Sequence, residues 1–321
     1  MKKRFILGIS FTLIALLLTS CSAASNGNKK TLPANNEQQS SKKETRLYKH
    51  AMGETEIPVK PERVITLQYA SQMISVGLKP IGAVDYLLDN QFPDFNGIES
   101  IGSREAINYE KMLAMEPDLI IAGDLEQDVY DKLSKIAPTV VVPWMAHDLF
   151  GHVEIMGDIL NRQEEAKSWK AEFDKKIAAA REKIIGAIGE DKTVAIYRVD
   201  PKEFSVYGVR NIGFTLYKAL GLHPPASVQK ELDKNPDLWG IQISLEVLPQ
   251  YDADYVFVTT LGTEETEQEF NRIKNSSLWK NLSSVKNNRV YSIDMDTWLG
   301  YTPHNVEVQL DEATKLLQEA K

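Results

Sequence analysis

Aromatic side chains follow the ends of several strands that the sequence predicts. Ligands of open α/β sheets bind beyond the carboxyl ends of parallel strands. Tyrosine and tryptophan suit such places because they offer apolar area at low entropic cost and keep one polar atom. The candidates for the walls of a binding site are Tyr69, Trp144, Trp298 and Tyr301, with Tyr207 and Trp239 as weaker members. Any single one of them could equally be a core residue.

Histidines, the other residues that can hold a ligand, are scattered along the chain. They are His50, His147, His152, His223 and His304. His147 and His152 flank Asp148, but no second cluster completes a metal site. We therefore expect no direct metal ligands from the protein. A zinc-, manganese- or haem-binding protein stays open as an alternative.

The sequence lacks the motifs of common enzymes. It has no Gly-x-Ser-x-Gly elbow, no His-Glu-x-x-His and no phosphate-binding loop. We predict a protein that is not an enzyme and that needs no cofactor. A surface-anchored hydrolase and a purely structural surface protein are the alternatives from other classes, and the second would be expected to lack a lined cleft.

Cys21 is the only cysteine, and its position is informative. Lys2, Lys3 and Arg4 precede an apolar run, Phe5 to Leu18, which is the pattern of an export signal. The next residues, Leu18-Thr19-Ser20-Cys21, resemble the bacterial lipobox, in which the peptide before the cysteine is removed and the thiol is acylated. Acyl chains would anchor the protein at about 0.8 kcal/mol per buried CH₂. The alternative is an ordinary secretory signal with a chance cysteine.

Charge and composition limit the kinds of molecule that the protein can bind. The formal charge of the chain is −8, and removal of residues 1–20 takes away three basic side chains and leaves −11. Nucleic acid is therefore an unsuitable partner. Residues 22–45 are rich in Ser, Asn, Gln and Lys and too poor in apolar residues to fold alone, so we predict a tether there.

The remainder of the chain alternates short apolar runs with amphipathic stretches, the pattern of an α/β fold with mainly parallel strands. In the first half the predicted strands are Arg63–Leu67, Pro80–Val84, Asp118–Ala122 and Thr139–Val142. In the second half they are Thr193–Tyr197, Phe204–Tyr207, Asp254–Thr259 and Arg289–Ile293.

One long helical pattern separates the two halves. Apolar residues recur at intervals of three and four on one face: Trp169, Phe173, Ile177, Ala180, Ile184 and Ile188. We therefore predict two Rossmann-like lobes joined by a rigid helix, with limited hinge motion. The predicted divisions are a signal peptide (1–20), a tether (21–45), an N-terminal lobe (46–155), an interlobe helix (156–190) and a C-terminal lobe (191–321).

The two halves also contain similar segments. Glu110 to Ala122 reads EKMLAMEPDLIIA, and Glu246 to Val258 reads EVLPQYDADYVFV. In both, a glutamate stands eight residues before an aspartate that opens an apolar strand. Either this similarity arose by chance, or Glu110 and Glu246 occupy equivalent places on two lobes and suit a two-fold partner.

The order of segments resembles a known family, the lipoproteins that deliver ferric siderophores to ABC importers, especially the ferric hydroxamate binders of Gram-positive bacteria. The matching stretches are PERVITL, VGLKPIGAV, IGSREAINYEKMLAMEPDLIIA, YDKLSKIAPTVVVP, GFTLYKALGL, ISLEVLPQYDADYVFV and SLWKNLSSVKNNRVYSID. The resemblance implies the class III periplasmic-binding-protein fold, with a ligand between the lobes and a helix across their back. It also implies that Glu110 and Glu246 dock on the permease dimer, which works with its ATPase.

The same resemblance directs attention to arginines, whose planar guanidinium suits the oxygens of a ferric siderophore. Arg104 falls where some hydroxamate binders carry an arginine that contacts iron-bound oxygens. For the second lobe the choice between Arg198 and Arg210 stays open, because the glycine-rich turn of relatives is replaced here by Val209-Arg210-Asn211-Ile212-Gly213.

These observations lead to one expected function. We expect a monomeric lipoprotein on the extracytoplasmic face of the cell membrane that binds an Fe(III)-siderophore of hydroxamate type and passes it to an ABC permease. Alternatives are a ferric citrate or citrate-hydroxamate binder and, further away, a haem-, cobalamin- or free-metal-binding lipoprotein.

Overall fold

A parallel sheet and a mixed sheet, of five strands each, form the centre of the molecule, which is described here from a computed structural model covering residues 44–88 and 92–319. These residues belong to one compact unit, Lys43–Lys321. The strands are β1 Thr45–His50, β2 Gly53–Pro58, β3 Val64–Thr66, β4 Gly82–Ala83, β5 Glu99–Ser100, β6 Leu119–Ala122, β7 Thr139–Val141, β8 Val194–Val199, β9 Phe204–Tyr207, β10 Gly240–Ile243, β11 Tyr255–Thr260 and β12 Val290–Ser292.

Helices connect these strands and cover the sheets. They are α1 Ala70–Ser75, α2 Asp85–Leu88, α3 Tyr109–Ala114, α4 Gln127–Leu133, α5 Leu149–Ile159, α6 Gln163–Ile188, α7 Ala226–Leu232, α8 Glu264–Asn275, α9 Ser277–Lys280, α10 Ser283–Lys286, α11 Met295–Leu299 and α12 Pro303–Gln318. Short 3₁₀ turns lie at Pro93–Phe95, Trp144–Ala146 and Leu245–Tyr251, and Phe214–Ala219 is π-helical. In the described residues no helix is long and apolar enough to cross a bilayer.

Each sheet belongs to one lobe. The N-terminal sheet has the order β5-β4-β3-β6-β7, with every pair parallel. The C-terminal sheet has the order β10-β9-β8-β11-β12, in which β8, β10, β11 and β12 run in one direction and β9 is antiparallel to its two neighbours, β8 and β10. The predicted α/β fold of two lobes with mainly parallel sheets is confirmed.

The predicted strands all have counterparts, with ends that differ by at most two residues. Sequence reasoning missed the antiparallel hairpin β1–β2, the edge strand β5 and the edge strand β10. Both strands of the hairpin carry several exposed polar residues, and β5 is exposed along its short length. Such segments lack the apolar runs by which buried parallel strands are recognised. The first strand begins at Thr45, within the range that was predicted to be tether.

The long helix α6 lies between the two sheets in the chain, as predicted, but starts later. It begins at Gln163 rather than near residue 156, which belongs to α5. Asn161 takes a φ of 55°, a left-handed conformation that ends α5. The two helices pack closely at Gly157, where a Cβ atom would lie 2.7 Å from the Cβ of Ala166.

Trp169, on α6, packs against the hydrophobic cores of both lobes. On the same helix Phe173, Ile184 and Ile188 are buried, and Ile177 and Ala180 are partly buried. The periodic face therefore faces the protein interior, which explains why the helix holds the lobes together rather than acting as a flexible linker.

Matched aspartates fix equivalent strands in the two lobes. The Asp118 carboxylate accepts hydrogen bonds from the backbone N–H groups of Glu62 and Arg63, just before β3. The Asp254 carboxylate accepts from the Thr193 backbone and hydroxyl, just before β8. In both lobes the next residue pairs with the first residue of that neighbouring strand, Leu119 with Val64 and Tyr255 with Val194. The similar segments that contain Glu110 and Glu246 thus occupy equivalent places.

Candidate ligand-binding cleft

A pocket of about 370 Å³ opens at the carboxyl ends of β3 and β6 in the N-terminal lobe. Its lining consists of Leu67, Gln68, Arg104, Ile107, Gly123, Asp124, Leu125, Glu126 and Val129. Arg104 is exposed, and its Nη2 lies 3.4 Å from the carbonyl oxygen of Asp124. The predicted binding residue Arg104 therefore lies at the edge of the sheet where α/β proteins hold ligands.

A second pocket of about 370 Å³ lies on the C-terminal lobe. It is lined by Arg198, Asp200, Glu203, Ser205, Tyr207, Trp239, Gly240 and Gln242. The register explains part of this set, because Ser205 on β9 pairs with Arg198 on β8 and with Gln242 on β10. Side chains of directly opposed residues share a face of the sheet.

Arg198 is held by two neighbours in this pocket. Its Nε lies 2.8 Å from Asp200 Oδ2, and its Nη1 lies 3.4 Å from the hydroxyl of Tyr207. The guanidinium side chain is 21% exposed and the Asp200 side chain 14%. An ion pair so far withdrawn from water is oriented rather than freely rotating.

The lobes meet at a junction adjoining both pockets. Arg210 Nη2 donates to the carbonyl oxygen of His147 at 3.3 Å, and the Leu149 backbone N–H donates to the Tyr301 hydroxyl at 3.0 Å. Trp144 makes an edge contact with the Tyr301 ring, with centroids 5.8 Å apart. The backbone N–H of Trp144 donates to Asp124 Oδ2 at 3.1 Å, which joins the junction to the N-terminal pocket.

The chain also connects this junction with the C-terminal pocket. The Gly208 N–H donates to the carbonyl oxygen of Trp239 at 2.9 Å, two residues before Arg210. The two pockets and the junction between them, Trp144, His147, Arg210 and Tyr301, together form what we call the cleft. Arg104 provides a donor in the N-terminal pocket and Arg198 one in the C-terminal pocket, and the rings of Trp144 and Tyr301 lie at the junction.

His152 lies behind the exposed surface of this junction. It is fully buried, stacks on Trp144 with centroids 4.5 Å apart and contacts Tyr69 at 5.3 Å. Burial, followed by the nearby charge of His147, lowers the pKa of His152 to about 4, against a backbone contact of Trp144 that raises it. The imidazole is therefore neutral at physiological pH and acts as a packing surface for Trp144.

Several predicted aromatic walls are instead buried by packing. Trp298 is fully buried against Phe257, and its Nε1 donates to Glu312 Oε2 at 2.7 Å, which makes it a core residue of the C-terminal lobe. Tyr69 is also fully buried, and its hydroxyl donates to the Val142 carbonyl at 2.6 Å. For these two residues the position after a strand reflects core packing, so the prediction that their side chains line the cleft does not hold in this structure.

The other predicted aromatic residues lie at or near the cleft surface. Trp239 is 50% exposed and Trp144 is partly exposed. Tyr207 and Tyr301 are almost completely buried, although Tyr207 borders the C-terminal pocket and Tyr301 supports the junction. Of the two arginines between which the sequence could not choose, Arg198 borders the pocket, whereas Arg210 is only 6% exposed and lies over the Tyr301 ring.

Sequence reasoning missed several residues around the cleft. Tyr86 is 40% exposed, with its hydroxyl 2.8 Å from Gln68 Oε1, and Met145 next to Trp144 is 66% exposed. Tyr86 follows the predicted strand Pro80–Val84, so the rule used for Tyr69 could have found it. The acidic lining residues, Asp124, Glu126, Asp200 and Glu203, gave no comparable signal because carboxylates are abundant throughout the sequence.

A larger groove of about 540 Å³ lies between α5 and α6. Phe150, Trp169 and Lys170 are among its lining residues, and none of the predicted binding residues belongs to it. It is formed by helices and not by strand ends, so its size does not make it the better ligand site. Within residues 44–88 and 92–319, no group of three or more His, Cys, Asp or Glu residues is placed to hold a metal ion.

Glu110 and Glu246 are exposed at the starts of two short helices, and neither lines one of the two pockets. Glu110 lies in the first turn of α3, where the Asn108 side chain caps the helix. Glu246 lies in the first turn of Leu245–Tyr251. The Ser244 hydroxyl, followed by the backbone N–H of Glu246 itself, lowers the pKa of the Glu246 carboxyl, which is therefore anionic. Cys21 lies outside the described residues.

The fold and the cleft define a two-lobed solute-binding protein with a rigid interlobe helix. A family model described as "Periplasmic binding protein" matches residues 79–297. The chain is 36% identical over 325 residues to the iron(3+)-hydroxamate-binding protein YxeB of Bacillus subtilis, across 99% of this chain and 97% of that protein. It is 33% identical over 318 residues to the iron(3+)-hydroxamate-binding protein FhuD of the same organism, across 97% of each.

A solved structure has the same fold. A FhuD fold-family periplasmic binding protein of a Fep/Fec-like ferrichrome ABC transporter from Bacillus subtilis matches with a TM-score of 0.75 at 31% identity, across 85% of this chain and 100% of that chain. The protein belongs to the periplasmic binding protein family. Its relatives bind solutes and do not catalyse reactions, which confirms the prediction that it is not an enzyme.

Proposed function

We propose that this protein captures an Fe(III)-siderophore of hydroxamate type outside the cytoplasm and delivers it to an ABC permease. The observation that carries the proposal is a cleft with one arginine pocket on each lobe and partly exposed aromatic residues between them. The chain that forms this cleft is 36% identical to an iron(3+)-hydroxamate-binding protein along nearly its whole length.

The chemistry of the cleft suits a ligand that brings its own metal ligands. In a ferric siderophore the iron is already surrounded by siderophore oxygens, so the protein must supply hydrogen-bond donors and apolar walls. Arg104 and Arg198 are the proposed donors, and Trp144 and Trp239 are the proposed walls. Tyr207 and Tyr301 support them from beneath, and Arg210 fixes the junction.

Tryptophan fluorescence tests this proposal, because Trp144 and Trp239 both lie at the cleft surface. The purified protein is titrated with ferrichrome, ferrioxamine B, ferric citrate and a ferric catecholate. We expect saturable quenching at one ligand per protein, with the tightest binding for a ferric hydroxamate. Absence of binding to any ferric hydroxamate would refute the proposal.

Delivery needs contact with the permease, for which we propose Glu110 and Glu246. Their support is structural equivalence, because each precedes by eight residues an aspartate that fixes a neighbouring strand. Two exposed carboxylates in equivalent places on two lobes match a permease dimer. Exposed charges of this kind mainly set orientation and association rate.

Anchoring through Cys21 is proposed on the residue pattern that precedes it. A tethered receptor stays at high local concentration around its permease. Replacement of Cys21 by serine should release the protein from the membrane fraction and abolish labelling by radioactive palmitate. Retention of both properties in the variant would reject the lipid anchor.

A further inference from the structure

Each pocket of the cleft contains more acid than base. The N-terminal pocket carries Arg104 together with Asp124 and Glu126, and the C-terminal pocket carries Arg198 together with Asp200 and Glu203. Arginine pockets that served an anionic ligand would be expected to keep their positive charge available. Here each arginine is outnumbered by carboxylates among the residues that line its own pocket.

Among the carboxylates that line the two pockets, Asp200 forms an ion pair with an arginine of its own pocket. Its Oδ2 lies 2.8 Å from Arg198 Nε, and the pair is mostly withdrawn from solvent. Its other oxygen, Oδ1, is buried and has no hydrogen-bond partner in the described part of the chain. The guanidinium is therefore the principal compensation for the Asp200 charge, and Asp200 in turn neutralises Arg198 within the pocket.

Glu203 and Trp239 lie in the solvent-exposed part of the C-terminal pocket. Glu203 is exposed and lines the same pocket, with no arginine of its own in that lining. Trp239 is half exposed and contacts the Tyr207 ring at 5.4 Å between centroids. A carboxylate and a half-exposed indole that line the same pocket form an environment that favours an ammonium group.

We propose that Asp200 and Glu203 make the cleft selective for the charge of the siderophore. A ferric trihydroxamate centre is neutral, since three hydroxamate anions balance Fe(III), so the charge of the complex comes from its pendant groups. The cleft would prefer a hydroxamate complex with a pendant ammonium group, accept a neutral one and disfavour one with a pendant carboxylate. This inference rests on the proposed function, because it concerns the ligand of the same cleft.

Ligands that differ only in the pendant group give a direct test. Ferrioxamine B ends in an ammonium group, its N-acetyl derivative is neutral, and its N-succinyl derivative ends in a carboxylate, while the iron centre is the same in all three. Binding is measured by tryptophan quenching at low salt and again at high salt. We expect the wild-type affinity to fall from the ammonium to the acetyl to the succinyl form, with smaller differences at high salt because exposed charges are screened.

Variants assign the selectivity to individual residues. Asp200→Asn should lower the ratio of the succinyl to the ammonium dissociation constant by about tenfold, and Glu203→Gln should lower it by a smaller factor because Glu203 is more exposed. Glu182→Gln on α6 removes the same charge from a residue outside both pockets and should leave the ratio unchanged. The neutral N-acetyl ligand reports any general damage to the cleft in each variant.

The possible outcomes separate this inference from the proposed function. If all three complexes bind the wild-type protein equally well, or if the Asp200→Asn ratio equals that of the wild type, the charge selectivity is refuted while hydroxamate binding stands. If none of the three binds, the selectivity proposal is refuted, and hydroxamate recognition is refuted with it only when ferrichrome also fails to bind.

Discussion

Arg198 and Arg210 are close in sequence but differ in what surrounds them. Arg198 borders an open pocket, whereas Arg210 is almost fully buried and donates to the His147 carbonyl of the other lobe. A hydrogen bond to a charged group contributes about 1.5–3 kcal/mol, which corresponds to about tenfold or more in affinity. We predict that Arg198→Ala weakens ferric hydroxamate binding by at least about tenfold. The variant should also lower the urea unfolding midpoint, because the largely buried Asp200 carboxylate loses the cation that compensates its charge.

Arg210→Ala should show a different pattern. Its removal leaves the His147 carbonyl without this donor, and a buried polar group without a partner costs about 1–3 kcal/mol. We therefore predict a lower unfolding midpoint as the main effect of this variant. If Arg210→Ala lost binding at full stability and Arg198→Ala bound normally, the two roles would be reversed.

His152 gives the molecule a pH-dependent component of stability. Its pKa is lowered to about 4 in the folded protein, below the ordinary value of 6.5. Between these two values the unfolded chain binds a proton that the folded protein does not, so stability falls as the pH drops. His152→Phe keeps an aromatic ring against Trp144 and removes the titration.

Urea unfolding at pH 7.5 and pH 5.0 measures this contribution. On lowering the pH, the wild-type protein should lose roughly 2 kcal/mol more unfolding free energy than His152→Phe. An identical loss in both proteins would show that His152 is protonated in the folded state.

The residues of the cleft were only partly predictable from sequence. The position of Tyr69 and Trp298 after apolar runs is real, but whether a ring faces a ligand or a core depends on packing from distant segments. The Trp298 indole N–H donates a hydrogen bond to Glu312 on α12, and the Tyr69 ring contacts the rings of Trp144 and His152. Strand-end patterns indicate the edge of a sheet, and they do not indicate the layer in which a side chain lies.

At the scale of elements, the matched aspartates are the clearest structural correspondence between the lobes. Asp118 bonds backbone groups before β3, and Asp254 bonds those before β8 and forms an ion pair with Lys192 at 2.8 Å. We predict that Asp118→Ala and Asp254→Ala each lower the unfolding free energy by about 1–3 kcal/mol, because backbone donors lose their partners.

Asp174→Ala serves as the matched control for these variants. Asp174 pairs with Lys170 on the exposed face of α6, and such surface pairs contribute about 0–1 kcal/mol. Urea denaturation of the three variants compares them. Losses in Asp118→Ala and Asp254→Ala no larger than in Asp174→Ala would mean that these carboxylates do not fix the strands.

Elements with a strong apolar signal were predictable, and the others were not. The parallel strands and α6 are buried along their length or on one face, so their patterns appear directly in the sequence. The hairpin β1–β2 is partly exposed and rich in polar residues, and the edge strand β10 is a partly exposed segment of only four residues. The partner of β10 is β9, which lies far away in sequence, so a local pattern cannot show this pairing. The two strands of the hairpin are neighbours in sequence, and they were missed because they lack an apolar run.

At the scale of the whole molecule, each lobe carries an exposed glutamate, Glu110 or Glu246, that we propose contacts a two-fold permease. We predict that Glu110→Ala combined with Glu246→Ala leaves ferric hydroxamate binding unchanged and abolishes its uptake by cells that carry the matching permease. Each single variant should reduce uptake less than the double variant does. The measurement is uptake of radioactive iron presented as the ferric siderophore.

The control for this uptake experiment replaces exposed glutamates on a different surface of the protein. Glu182→Ala and Glu172→Ala on α6 remove the same charges from a different surface and should transport normally. Normal uptake by the double variant Glu110→Ala, Glu246→Ala would show that these two residues are not needed for docking on the permease.

The central claim is that the cleft between the two lobes binds a ferric hydroxamate through Arg104 and Arg198. Isothermal titration calorimetry of the wild-type protein and of Arg104→Ala combined with Arg198→Ala tests it most directly, with urea unfolding to verify the fold. We predict one bound ferric hydroxamate per wild-type protein and an affinity loss of about 100-fold or more in the double variant. Undiminished affinity in a folded double variant would contradict the claim and place the ligand elsewhere.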